Sequence, residues 1–325
     1  KSCFLVATEK QGPCQLFNAN GDVLETVWTA PGGVMTMVQV PGSEDQFLAT
    51  QQFYSPNDSA QAKIVVAQRK AKNNWVVHTL TEIPFVHRFG ILQRGGIYYL
   101  MICCLKSGHA YQDDWSMPGQ VFAAELPADL SCFDSEHQLA LTEIRSGMGH
   151  NHGYSAYCDN GVNTAVVTCD DGVFQFVPPA QRGQAWTIRR LYDQPVSDAV
   201  LCDFDGDGQP ELGCFAPFHG ESLFICHKNK DGDYEKVWTC AQPMEMLHAT
   251  CACTLNGENA WVVGYRKGNR DLLMITFKNG SYQTQVIDSG CGSANVMHFI
   301  NQIGEDVLVS ANREIDEAAL YLLKK

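Results

Sequence analysis

Short runs of β-branched and aromatic residues, separated by Asn-Gly and Asp-Gly turns, recur along the whole chain and constrain its fold more than any other feature. The unit is clearest over 149–178, GHNHGYSAYCDNGVNTAVVTCDDGVFQFVP. It predicts a strand opening on paired histidines (149–158), a turn at Asp159-Asn160-Gly161 and a second strand (164–168). A turn at Asp170-Asp171-Gly172 and a third strand (173–177) follow, with a fourth at 186–192. Such turns join antiparallel neighbours because their residues tolerate positive φ and match the strand twist. The rest of the chain repeats this pattern. Complete four-stranded units are expected over 34–81, 86–144, 149–192, 196–239 and 248–287, with three-stranded units at 3–29 and 295–323. The fold class this implies is all-β, a β-propeller of four-stranded antiparallel blades occupying 1–325 as one domain. Seven blades are expected; six with an irregular closure is the competing arrangement.

Composition narrows the partners. A net charge of -13 disfavours nucleic acid and anionic membrane surfaces, and no apolar run reaches membrane length. Fourteen cysteines, many of them adjacent or inside expected strands and none in a CxxC pair, suit free thiols acting as small apolar residues. That usage, with no charged and apolar leader at the start, predicts a reducing, cytoplasmic setting.

In a propeller the first strand of each blade lines the central channel, and the start of that strand shares a face with the turn between the second and third strands. Aligning the blades puts His87, His152, Asp198 and Asn295 at equivalent places, with His248 within about two residues. The second-to-third turns add His109, Tyr111, Asp113, Asp114 and Trp115 from an insertion at 106–119, His219 from APFHGES, and Arg266 and Lys267 from GYRKGNRD. They also add Arg313 and Glu314 from SANREIDE. One face thus becomes a polar funnel.

Imidazoles converging from separate blades can hold a divalent transition metal, with zinc the natural choice. His87, His152 and His219 are the first choice, with His248 and His298 behind. Taken singly, each is more often a hydrogen-bonded structural residue. The turn DFDGDGQPEL offers Asp203, Asp205, Asp207 and Glu211 as oxygen ligands for calcium or magnesium. It joins a first to a second strand, and so should lie away from the funnel and stabilise its blade. Trp115 with Asp113 can stack on and hydrogen-bond a sugar ring; the plain reading is a loop pinned by its tryptophan. Arg266, Lys267, Arg313 and Glu314 can hold an anionic or enolate-like group, or can simply pair with one another. His78, His137 and His227 fall on outer strands and receive no role.

The segments VHRFGIL, AYQDDWSMPG, HNHGYS, DFDGDGQPEL, APFHGES, GCGSANVMHF and SANREIDEAALY together resemble the propeller of the aldos-2-ulose dehydratase/isomerase family. The acidic turn resembles the calcium loop of FG-GAP repeat propellers. The resemblance implies a metal-dependent dehydratase acting on a keto-sugar such as an anhydrofructose or an aldosulose. It leaves isomerisation in doubt, because this chain has no length for the family's additional domains. In that chemistry a metal polarises the ketone while a base removes the neighbouring proton. His109 and His248 are then candidate bases, Tyr111 or Asp114 the donor to the leaving group, and Asn295 and His298 substrate contacts beside Arg313. Two other classes remain open: a non-catalytic glycan- or protein-binding propeller, and a propeller-type polysaccharide lyase.

Overall fold

The computed structural model describes residues 3–323. The first sheet holds β1 (Cys3–Ala7), β2 (Cys14–Asn18) and β3 (Val23–Trp28), and the second β4 (Met37–Gln39), β5 (Gln46–Gln51), β6 (Lys63–Ala71) and β7 (Asn74–Glu82). The third holds β8 (Val86–Arg94), β9 (Ile97–Lys106), β10 (Pro118–Glu125) and β11 (Thr142–Met148). The fourth holds β12 (Tyr154–Asp159), β13 (Val162–Cys169), β14 (Gly172–Val177) and β15 (Thr187–Tyr192). The fifth comprises β16 (Asp198–Cys202), β17 (Glu211–Ala216), β18 (Ser222–Lys228) and β19 (Tyr234–Thr239). The sixth comprises β20 (Glu245–Leu255), β21 (Glu258–Lys267), β22 (Leu272–Lys278) and β23 (Ser281–Asp288). The last has β24 (Ser293–Ile300), β25 (Asp306–Asn312) and β26 (Glu317–Leu322). Every sheet is an antiparallel meander in chain order, and the seven form the ring of a seven-bladed β-propeller. The six-bladed arrangement is excluded.

Alternating strand residues pack blade against blade. Between the fifth and sixth, Phe215, Ile225, Trp261, Val263 and Ile275 are buried together. Gly213 permits the approach, since a Cβ there would lie 2.8 Å from the Trp261 ring. The ring closes where Phe4 meets Phe299 at 6.4 Å and Arg313 pairs with Glu9.

Two inner strands start later than the residue pattern implies. The Thr50 hydroxyl accepts the amides of Met35 (2.6 Å) and Thr36 (3.1 Å), so β4 begins at Met37 rather than near residue 34. In the same way Thr168 Oγ1 accepts the Gly153 amide at 3.0 Å, leaving His150 and His152 ahead of β12 instead of within it. All fourteen cysteines are unpaired, and no helix among the described residues is long and apolar enough to cross a membrane.

Glu25 on β3 ties the first blade to the second. Its buried carboxylate accepts hydrogen bonds from Arg69 Nε (3.1 Å), Trp75 Nε1 (2.9 Å) and the Asn73 amide (3.1 Å). The Arg69 hydrogen bond leads in lowering its pKa from 4.5 to about 2. A lowered folded-state pKa gives stability that is full above the unfolded value and is lost as pH falls from 4.5 towards 2. Glu25→Ala should therefore cost about 1–3 kcal/mol at neutral pH, because the half-buried Arg69 and Trp75 donors lose their acceptor. Glu25→Gln should flatten the acid limb of the melting profile in that window, as thermal unfolding followed by circular dichroism would show.

Candidate metal centre and adjoining cleft

Three inner strands carry a β-bulge at matching places. The pairing of β8 with β9 slips between Val86 and Arg88, that of β20 with β21 between Leu247 and Ala249, and that of β24 with β25 between Ser293 and Asn295. The residues left out of register are His87, His248 and Ala294. A bulge re-aims its side chain and kinks the strand end. Phe85, His150 and Met246, each two residues before one of His87, His152 and His248, take positive φ of 62°, 46° and 59°. The three histidines are therefore equivalents, presented by one repeated backbone device.

His152, His219 and His248 have ring nitrogens within 4.8 Å of one another. His152 Nδ1 donates to Asp198 Oδ2 at 2.8 Å, a contact that Ser197 Oγ supports from 3.3 Å. His248 Nδ1 donates to the Ala294 carbonyl at 2.8 Å, so the bulge in the last blade fixes the imidazole of the sixth. With Nδ1 protonated in both rings, Nε2 carries the lone pair. His219, at φ 48° with its amide 3.3 Å from Ser197 Oγ, brings its Nε2 to 3.1 Å from that of His152. Two imidazole acceptors that close need a shared proton or a shared cation. Burial first, then neighbouring imidazoles and the Arg88 and Arg266 guanidiniums, pushes His248 well below the ordinary range and His219 down to about 2. Neutral imidazoles whose second nitrogen is anchored on a carboxylate or carbonyl are the form in which histidine binds a metal.

Beside these rings His150 Nδ1 lies 2.8 Å from Asp170 Oδ2. Its ring packs 4.3 Å from Trp115 and 4.6 Å from Phe218, and Phe218 stacks on His219 at 4.1 Å. A cleft of about 410 Å³ opens at His219, bordered by Glu221, Glu245, Met246 and Lys267. That volume accommodates a small carbohydrate.

Of the metal ligands expected from sequence, His152 and His219 belong to this group and His87 does not. The His87 ring lies 4.5 Å from that of His152, but its Nδ1 faces the His152 carbonyl at 3.2 Å and the ring packs on Phe53. His248, expected as a base and as a ligand behind the first three, takes its place. Lys267 borders the cleft and Trp115 reaches the site through His150, whereas His109 packs edge-on against Phe85. Tyr111 is exposed. Asp113 is held by Asn57 at 2.7 Å. Asp114 cannot be the proton donor: its oxygens accept the Ala110 and Ser116 amides, and hydrogen bonds at Ser116 lead in lowering its pKa to about 2. It shapes the loop instead. Arg266 pairs with Glu314 at 2.8 Å, and Glu314 with Arg313 at 3.0 Å, so these three are engaged with one another and with Glu9. Asn295 follows the Ala294 bulge and is exposed. His298 is not at the mouth, because it lies toward the far end of β24, bound to Asp306 at 2.7 Å. Sequence reasoning missed Arg88, which follows the bulged His87 and donates to the Met35 carbonyl at 2.8 Å, and undervalued His150.

The acidic turn 203–210 lies at the other end of β16 from Asp198. Asp203 is not one of its convergent groups: its two oxygens accept the Gly206 and Gly208 amides at 2.8 and 3.0 Å. The group that converges is Asp205, Asp207, Glu211 and His227, the last from β18 and assigned no role from sequence. Burial raises Glu211 to about 7.

No protein-family model matches the chain, and no curated protein matches it. Among solved structures, it is similar to two proteins provisionally named as 6-phosphogluconolactonases, from Bacteroides uniformis and Bacteroides fragilis. Each is 13% identical with a TM-score of 0.62 over 99% of this chain, covering 92% and 90% of theirs respectively. It is similar also to the WD40 β-propeller domain of Doa1, at 11% identity and a TM-score of 0.54, over all of this chain and 90% of that one. The likeness is one of fold. At such identities no residue role passes from those proteins to this chain.

Proposed function

We propose that the chain is a metal-dependent enzyme acting on a small carbohydrate, removing water from a keto-sugar in the cleft beside His219. The observation that carries this reading is the convergence of His152 and His219 from two loops and of His248 from the bulge in β20, with two of the rings anchored through Nδ1. Three imidazoles leave a position open for substrate and suit zinc. When bound, such an ion supplies a Lewis acid for the ketone oxygen. His150 is then the base: Asp170 accepts its Nδ1 proton, which leaves Nε2 to take the proton beside the carbonyl. The carbon–oxygen bond at the next carbon breaks, and the same imidazolium returns the proton to the departing hydroxide as water. Lys267, with Arg88 and Arg266 behind, favours the negative charge that develops. Unpaired thiols suit a reducing, cytoplasmic compartment, and the charge of -13 argues against nucleic acid and anionic membrane surfaces as partners.

A second reading is hydrolysis of a sugar lactone, favoured by the names given to the two Bacteroides structures. The same histidines would then serve water rather than a ketone. Metal-loaded protein supplied with keto-sugars should develop enone absorbance, whereas release of acid from sugar lactones without enone would replace the dehydratase by the lactonase. Neither product from either panel would reject both.

A further inference from the structure

We infer that the outer turn of the fifth blade is a second metal site, built from Asp205, Asp207, Glu211 and His227 for a divalent transition metal rather than calcium. It is independent of the channel chemistry, since the length of β16 separates the two places.

Each carboxylate divides its oxygens between the backbone and a common point. Asp205 Oδ1 accepts the Asp207 amide (3.1 Å), Asp207 Oδ1 the Gln209 amide (2.7 Å), and Glu211 Oε2 the Phe204 amide (2.5 Å). The remaining oxygens turn toward His227 Nε2, at 3.9 Å (Asp205 Oδ2), 3.1 Å (Asp207 Oδ2) and 3.6 Å (Glu211 Oε1). Glu211 is wholly buried and its Oε1 has no hydrogen-bond partner. A buried carboxylate oxygen left unsatisfied and aimed at two other carboxylates is costly, and a cation at the common point removes the cost.

The imidazole decides which cation. His227 Nδ1 donates to the Lys228 carbonyl at 2.9 Å, leaving the Nε2 lone pair directed at the acids. Calcium takes six to eight oxygens at flexible distances and has little use for a ring nitrogen. One nitrogen with three carboxylates is a donor set for zinc and its first-row neighbours. Gly206 and Gly208, at φ 79° and 89°, let the turn fold tightly enough to bring Asp205 and Asp207 to one side.

The test uses the full chain, stripped with chelator and titrated with Zn(II), Co(II) or Ca(II). His227→Gln should lower Zn(II) binding by one equivalent, or weaken that equivalent about 100-fold. It should also remove most of the rise in melting temperature that Zn(II) gives the wild type. Asp207→Asn should behave alike, while His219→Ala, at the other site, should leave this equivalent intact. Equal Zn(II) equivalents in wild type and His227→Gln would overturn the inference. So would a rise in melting temperature with Ca(II) that is the same in both.

Discussion

Replacing His152 and His248 together by alanine should abolish metal binding at the channel mouth and, on the proposed mechanism, lower turnover at least about a thousandfold. Lewis-acid stabilisation of an enolate contributes several kcal/mol to the barrier, and no other group at the site replaces it. The double change also leaves Asp198 buried without its imidazole partner, so some loss of stability is expected alongside. His219→Ala separates the two effects, because it keeps the His152–Asp198 contact while removing one ligand from the rim. Its melting temperature should stay near wild type while metal content and rate fall. Elemental analysis of both variants, with activity before and after chelation, checks this. Full activity in chelator-treated protein would end the metal-dependent reading.

His150→Gln should lower turnover by about 10²–10³ with metal content unchanged, the range expected when a general base is lost. Asp170→Asn should cost about tenfold, since Asp170 acts only by holding the imidazole tautomer. Exchange of the proton beside the substrate carbonyl with deuterated solvent gives a readout that a merely packed histidine would not move. It should stop in His150→Gln and slow in Asp170→Asn. Exchange at the wild-type rate in both would assign the ring to packing between Trp115 and Phe218.

The architecture was legible because turn chemistry and strand periodicity act over a few residues. Asn160-Gly161 and Asp171-Gly172 form turns whatever surrounds them, so the blades could be counted, including the three-stranded ones at either end. The ligand set was only partly legible, because side-chain direction decides it. Blade alignment makes His87, His152 and His248 equivalent, and His87 and His248 even share a bulge, yet Nδ1 of His87 turns to the His152 carbonyl while that of His248 turns to the Ala294 carbonyl. The recurring positive-φ residue two places before each histidine is a backbone signal with no fixed residue type: Phe85, His150 and Met246 share only their conformation. His227 escaped notice for a different reason. A third strand ends beside the turn that joins the first two, and strand order alone does not reveal that proximity.

The ion pairs running Arg266–Glu314–Arg313–Glu9 cross from the sixth blade through the seventh to the first. They form an electrostatic clasp where the two chain ends meet, and a clasp of this kind loosens with ionic strength in a way that the apolar seams elsewhere do not. Because Arg266 is also among the cations that depress His219 and His248, parting the seam would release a positive charge toward those imidazoles. The same chain of ion pairs thus contributes both to the closure of the disc and to the electrostatic potential at its mouth.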